Sequence, residues 1–441
     1  MVIVESDIEL NNFVKDYNLY DSILLPVFRD HKKPFCINEL SFIFVHTFNE
    51  KDYILPFCHS DCINLDKSVL KLLDNEKIKY TFDKKEFLNF LNIKNLIDVK
   101  VLEYLHTGKV IDFSHILEIQ RFYYNNFFNN ENINSIISIT KFVELLFIYR
   151  DKLKDMIKQY HSSINEPAFH YINNVMIDTL SEIEKNGIFV NELFSKKELI
   201  YNNYIYSSYN IFTKTSRPTC TSTGFNLTAI NKKDGTRKAF SSRFENGVML
   251  LFDYDAYHIY LLANLLEESF NENPYYFLAK QILGKTEIEA DEYDKIKILV
   301  YQIIYNKITK ESESIPFFKK VKQLGQILYD DLKEKQYIIT PIFERKIYLD
   351  VLGITNQQKL LNYYIQAFET ENNILILNKL NNIMKNYQSK IIIYTYDSIL
   401  IDFNLEDGKD LVFTIKNILE NEKKYPCKFL FGKDYHYMNK I

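Results

Sequence analysis

The chain contains no tryptophan and only five cysteines in 441 residues. An odd number of thiols scattered along a long chain excludes a disulfide framework as the source of stability. Cys58, His59 and Cys62 lie close together, but no second ligand pair follows at zinc-site spacing, so they read as packing residues. No apolar run approaches the roughly 18 residues that a membrane span needs. The stretch Met1-Val2-Ile3-Val4-Glu5-Ser6-Asp7 also lacks the basic and apolar blocks of a signal peptide. No membrane partner is expected, and the expected compartment is the cytoplasm. A net charge of −4 does not by itself point to a polyanionic partner.

What the chain does have is 46% hydrophobic and 25% charged residues, the balance of a globular protein. Its length allows about two to four domains with substantial cores. The 33 Tyr and 34 Phe, in an Ile/Asn/Lys-rich texture, reflect an AT-rich gene more than a mechanism. Charge is uneven. From Tyr201 to Gly247 stand Lys214, Arg217, Lys232, Lys233, Arg237, Lys238 and Arg243 against Asp234 and Glu245. Basic side chains mixed with Tyr and Asn in a stretch of low helix content fit contact with a phosphate backbone, or else a solvated loop.

Two aspartates stand at the tips of apolar runs: Asp253 after Val248-Met249-Leu250-Leu251-Phe252, and Asp397 after Ile391-Ile392-Ile393-Tyr394-Thr395-Tyr396. Such runs read as buried strands. A carboxylate there is costly unless water, a partner or a metal compensates it. Two of them suggest one site holding divalent metal through oxygen ligands; the alternative is two solvent-facing strand ends that never meet.

Along the chain, residues 1–160 alternate strands, Ser41 to Val45 and Asp52 to Pro56 among them, with helices. A helix then carries Ile172, Met176, Leu180 and Ile183 on one face, and Gly187 stops it. Residues 259–337 are dominantly helical, a module set between the two Asp-bearing strands. Within it Tyr293, Lys297, Tyr301 and Tyr305 recur every four residues and form one stripe. An aromatic stripe is usually core, but a lysine is rarely buried without a partner. Lysine beside stacked phenols suits a triphosphate with a ring over the sugar and base.

In this order the elements resemble an A-family DNA polymerase, of the bacterial repair and phage replicase type, over residues 166–441. Thr215-Ser216-Arg217, Asn226-Leu227-Thr228-Ala229-Ile230 and Arg237-Lys238-Ala239-Phe240 resemble the family's TGR, NLQNI and RQAF block. Asp253-Tyr254-Asp255-Ala256-Tyr257-His258 resembles motif A in a compact, phage-like form. Lys297, Tyr301, Tyr305 and Asn306 resemble motif B, Asn362 and Gln366 the minor-groove helix, and Tyr396-Asp397-Ser398 motif C. The resemblance implies an α+β, multi-domain right hand with an antiparallel palm sheet, a helical fingers insertion and a short thumb, preceded by an α/β exonuclease-like domain. The expected divisions are a degenerate 3′-5′ exonuclease-like domain over 1–160, thumb and palm entry over 166–235, palm over 236–270, fingers over 271–335 and palm again over 336–441.

The activity implied is template-directed addition of dNTPs to a primer 3′-OH, by phosphoryl transfer between two metals about 3.5–4 Å apart. Asp253, Asp397 and the Tyr254 carbonyl would hold two Mg²⁺, with Mn²⁺ as a substitute. Lys297 would meet the phosphates and act as the acid, and Tyr301, Tyr305, His258, Tyr275 and Tyr293 would line the nucleotide site. Lys214, Arg217, Asn226, Arg237, Asn362, Gln366 and Tyr396 would contact primer-template DNA. If the chain is viral, the compartment is the host cytoplasm.

The departures carry information too. Tyr293 and Tyr275 replace two expected cations, for which Lys280 or Lys295 would have to compensate, and His258 replaces the acid that closes the sugar pocket. About 25 residues separate Asn191 from Thr215, where the family inserts a long helical hairpin; weak grip, or a processivity or replisome partner, is expected. In residues 1–160 the strand that should carry a carboxylate pair, Ile23 to Phe28, has none, and Asp7-Ile8-Glu9 opens a helix ahead of it. No proofreading is expected. The rival readings are a weakly catalytic relative kept as a nucleic-acid-binding replisome scaffold, and a single-subunit RNA polymerase or primase-like enzyme. The retained carboxylate pair argues against the first, and the NLxxI and RxAF block against the second.

Overall fold

The apolar runs and helix-spaced stripes fold, in a computed structural model, into two units, Met1–Lys185 and Asn186–Ile441. The structure describes residues 1–28, 39–110, 138–220, 226–306, 308–353, 356–421 and 424–440. The first unit runs past the expected boundary at 160–166 to the end of the Ile172-bearing helix. That helix is π-wound over Tyr171–Met176 and α-helical from Ile177 to Asn186. Gly187 ends it at φ +58°, a conformation that costs a residue with a Cβ; an added Cβ would also lie 2.7 Å from the Tyr206 ring.

The first unit is built on a six-stranded sheet in the order β1-β4-β3-β2-β5-β6. The strands are β1 (Val2–Ile3), β2 (Ser22–Phe28), β3 (Leu40–Thr47), β4 (Lys51–Pro56), β5 (Lys79–Thr81) and β6 (Leu96–Asp98). β2, β3 and β4 pair antiparallel, whereas β5 and β6 join parallel. β3 is buried along its whole length, the apolar run Phe42-Ile43-Phe44-Val45 together with Ser41, His46 and Thr47. Helix α1 (Asp7–Leu19) precedes β2 and is capped by Ser6, whose hydroxyl accepts from the Glu9 amide. The Asp7-Ile8-Glu9 triplet thus lies in a helix's first turn, where acidic side chains complement the N-terminal dipole. Asp98 closes β6 and caps α2 (Val99–Thr107).

In the second unit the short strands β7 (Ile188–Phe189), β8 (Tyr204–Ile205), β9 (Tyr209–Asn210), β10 (Thr219–Cys220), β12 (Tyr337–Ile339) and β13 (Lys346–Tyr348) pair two by two, and the centre is an antiparallel sheet in the order β14-β15-β11-β16-β17. β11 (Gly247–Tyr254) lies between β15 (Ser398–Asn404) and β16 (Cys427–Gly432); β14 (Lys390–Thr395) and β17 (Asn439–Lys440) form the edges. The helical insertion follows β11 as α3 (Tyr257–Leu265), α4 (Pro274–Leu283), α5 (Ala290–Tyr305) and α6 (Pro316–Lys335). The long α7 (Gln357–Met384) leads back to the sheet. A capping box between Glu289 and Glu292 starts α5. Ile296, Val300, Ile303 and Ile304 are its buried face; full burial of such a side chain contributes about 1.5–3 kcal/mol. The Tyr293–Tyr305 stripe flanks this face, and Tyr293 and Tyr305 pack against the same core.

Candidate active site

The register of the sheet brings the two strand-end aspartates together. Asp253 pairs across the ladder with Ser398, and the Tyr254 amide donates to the Asp397 carbonyl at 2.9 Å. Tyr396 and Asp397 form the two-residue turn between β14 and β15, with Tyr396 at φ 40°. A left-handed tyrosine is strained. The turn is held by the Arg217 guanidinium, 3.6 Å from the Tyr396 ring centroid, and by the Asn373 amide on the Tyr396 carbonyl. Ala256, at φ 51°, turns the chain from β11 into α3.

Both carboxylates open into a cavity of about 410 Å³. Burial, and then repulsion from Asp397, push the Asp253 carboxyl up to about 6; Lys232 and Lys428 oppose the rise. Asp397 is raised by the surrounding protein and then by the charge of Glu369. Among the described residues no group of three His, Cys, Asp or Glu side chains is placed to hold a metal ion by itself. A cation here would rely on these two carboxylates and on backbone oxygen, for which the Tyr254 carbonyl is adjacent. Two oxygen donors that repel each other suit a hard divalent ion.

The stripe on α5 forms a wall of the cavity. Lys297, Tyr301 and Tyr305 line it, and Tyr301 and Tyr305 stack at 5.3 Å between centroids, 17° from parallel. Lys297 is exposed rather than buried, its ammonium 5.6 Å from the centre of the Tyr275 ring. Tyr275 also lines the cavity, and its hydroxyl is hydrogen-bonded with that of Tyr301. Tyr293 packs against Tyr275 and Tyr276 and is not part of the lining. Its phenol is pushed up to about 12 by burial and then by the Asp255 charge.

His258 reaches two partners. Its Nδ1 meets the Tyr305 hydroxyl, and its Nε2 lies 2.8 Å from Glu369 Oε1. The second Glu369 oxygen forms an ion pair with Arg217 at 3.0 Å. Glu369 is 1% exposed, the hub of this wall, and it was not foreseen. It stands one turn beyond Gln366, which also lines the cavity. Asp255 and Lys428 are further unforeseen residues of the lining; their ion pair spans 2.7 Å.

The remaining expected DNA contacts are spread along the unit, outside the cavity lining. Asn362 does not line it; its amide donates to the Tyr305 carbonyl at 3.1 Å, and its Oδ1 is buried without a partner. Lys214 donates to the Leu352 carbonyl, and Asn226 caps a short turn through the Thr228 amide. Arg237 holds the Ile230 carbonyl and lies 4.0 Å over the Tyr435 ring. Arg243 binds the fully buried Asp402 at 2.7 Å and the carbonyls of Asn186 and Gly187. Its charge is therefore spent inside the unit, and it is no part of a basic surface. Lys280 is paired with Glu272, and Lys295 lies outside the lining, so neither replaces the two missing cations in this arrangement.

The structure is similar to the POL domain of Pol1 from M. smegmatis, solved in complex with DNA primer-template and dNTP, at a TM-score of 0.71. The alignment covers 99% of each chain. The fold is that of a polymerase domain. Sequence identity is 14%, so the likeness carries the fold alone. No protein-family model matches the sequence, and no curated protein does either. Among the described residues no helix is long and apolar enough to cross a membrane.

Proposed function

We propose that the protein is a template-directed DNA polymerase that adds dNTPs to a primer 3′-OH by two-metal phosphoryl transfer, without proofreading. One observation carries the reading: within a polymerase fold, two mutually repelling strand-end carboxylates open into a cavity walled by the Lys297-Tyr301-Tyr305 stripe. Divalent ions at Asp253, Asp397 and the Tyr254 carbonyl would align the attacking oxygen with the leaving pyrophosphate and neutralise developing charge. The chain's own residues do the rest. Lys297 meets the phosphates and supplies a proton to the leaving group. Tyr301 and Tyr305 cover sugar and base, with Tyr305 steadied by His258. Gln366 and Arg217 face the duplex, where minor-groove acceptors common to every correct pair permit contact without sequence preference. The basic residues Lys214, Lys232, Lys233, Arg237 and Lys238 meet the phosphate backbone.

Among the described residues no α-helix lies between Asn186 and Tyr257. This supports a short thumb over 166–235, and with it a need for a processivity or replisome partner. The absence of a carboxylate on β2, which pairs antiparallel with β3, supports a degenerate exonuclease-like first domain.

The test is primer extension with dNTPs and with rNTPs, in Mg²⁺ and in Mn²⁺. Template-dependent extension with dNTPs is expected. Duplex binding with no extension under either metal would favour the scaffold, and equal use of rNTPs would favour the RNA polymerase reading.

A further inference from the structure

The cavity holds four side chains that can carry positive charge: Arg217, His258, Lys297 and Lys428. Two of them are committed, because Arg217 and His258 both bind the buried Glu369. Lys297 extends from the insertion helix α5. Lys428 comes from the sheet, directly across the ladder from Asp253. Its ammonium rests 2.7 Å from Asp255 Oδ1, yet the side chain is 48% exposed. The other Asp255 oxygen accepts from the Asn273 amide at 3.0 Å.

We propose that Lys428 is a second phosphate ligand for the incoming nucleotide, latched on Asp255 at rest and transferred to the triphosphate on binding. The inference rests on the polymerase reading of the same cavity. The Lys428 end of this pair is half exposed, so water competes for its ammonium, although Asp255 is only 16% exposed. An ammonium–phosphate bond in a site closed by substrate is charge-assisted and stronger. Asp255 keeps the Asn273 amide when the lysine leaves, which offsets part of the cost of uncovering its carboxylate. The location is also right for phosphate. Lys428 sits across the ladder from Asp253, and Lys297 lines the same cavity over the Tyr275 ring. Both lysines line the cavity into which the two carboxylates open.

The experiment measures dNTP binding to a complex with dideoxy-terminated primer-template, where no chemistry occurs, together with the dNTP KM and inhibition by inorganic pyrophosphate. Lys428→Met should weaken dNTP binding, raise KM and weaken pyrophosphate inhibition, each about tenfold, the scale of one lost charge-assisted bond. Primer-template affinity should not change. Lys428→Arg should recover most of the loss, and Asp255→Asn, which frees the lysine, should lower KM. If Lys428 only neutralises Asp253, Lys428→Met will change kcat and its pH profile but leave dNTP and pyrophosphate affinity at wild type, and the proposal falls. Should Lys428→Met not fold, a wild-type KM in Lys428→Gln overturns it equally. A wild-type protein that binds dNTP in a Lys428-dependent way but never extends would sink the polymerase reading and leave this site standing.

Discussion

Asp253→Asn should make the metal-free protein more stable while abolishing extension. The Asp253 carboxyl is held at about 6 by burial and by Asp397, against an ordinary value of 3.8. The folded chain therefore keeps this proton up to pH near 6, whereas the unfolded chain releases it near 4. Between those values the folded state binds more protons, so stability falls as pH rises through the window. Two units at about 1.36 kcal/mol each give roughly 3 kcal/mol, which solvent in the cavity screens to about 1–2 kcal/mol. Asparagine keeps the shape and removes the charge. At pH 7.5 in chelator the variant should melt above wild type by about 2–4 °C for each kcal/mol. At pH 5 the difference should shrink, because wild type is then protonated. Mg²⁺ should raise the wild-type melting temperature and leave the variant's nearly unchanged, with primer-template affinity retained. A variant that melts at or below wild type at pH 7.5 in chelator would refute the conflict between the carboxylates, and near-normal extension would refute the metal assignment.

Tyr301→Phe should raise discrimination against dideoxynucleotides, since its hydroxyl stands in for the missing 3′-OH contact; equal dideoxy incorporation in a competition assay removes Tyr301 from the sugar pocket. Glu369→Gln should cost about 3 kcal/mol in chemical denaturation, because one partner of a buried charged group is lost, and should lower the extension rate as Arg217 and His258 loosen; unchanged stability and rate would mean that Glu369 is no hub. Primer-template affinity should fall steeply with salt, each phosphate neutralised from Lys214, Lys232, Lys233, Arg237 or Lys238 adding roughly 0.9 to the logarithmic slope; a flat salt titration would place the duplex elsewhere. A 3′-mismatched primer should remain untrimmed in Mg²⁺, and nuclease activity that persists in Asp253→Asn would show that the first unit holds a metal site.

The carboxylate pair and the α5 stripe were legible because each sits in a strong local period: a strand's apolar run that stops at a charge, and a helix face repeating every four residues. Glu369 was not. α7 is buried on nearly every side, with Glu369, Thr370, Glu371, Asn372 and Asn373 all inside, so no polar face sets one acid apart. Its partner His258 is 111 residues away in the chain. A finer reading had one signal available, since Glu369 follows Gln366 by one turn on the same side of a helix already singled out. Arg243 reads as surface charge in the sequence for a similar reason: its partner Asp402 lies 159 residues on, inside an apolar strand. Asn362 shows a different limit. Its helix was identified, but the end of α5 that claims its amide is a tertiary fact.

The two units show how a strand-end carboxylate can be resolved with and without an outside charge. In the first, Asp98 ends β6, and burial raises its carboxyl to about 7 although Lys100 opposes the rise; Asp83 adds to it. Ammonium groups supplied by the chain itself surround that region. Lys100 meets Asp83 at 2.6 Å, Lys84 meets Asp178 at 2.7 Å, and Lys85 meets Glu184 at 2.6 Å. Asp98 itself accepts the Lys84 and Lys100 amides. That arrangement is a finished structural network, since each acid has a cation or an amide in place. In the second unit Asp253 and Asp397 face each other, while the nearest lysine on the sheet, Lys428, is held by Asp255. Burying like charges side by side is unfavourable unless something compensates them. Lys232 and Lys428 moderate the Asp253 charge, but Lys428 is paired with Asp255, so the rest of the countercharge is left to come from solution. Under the proposed polymerase function, that countercharge would be a divalent ion arriving with a polyphosphate.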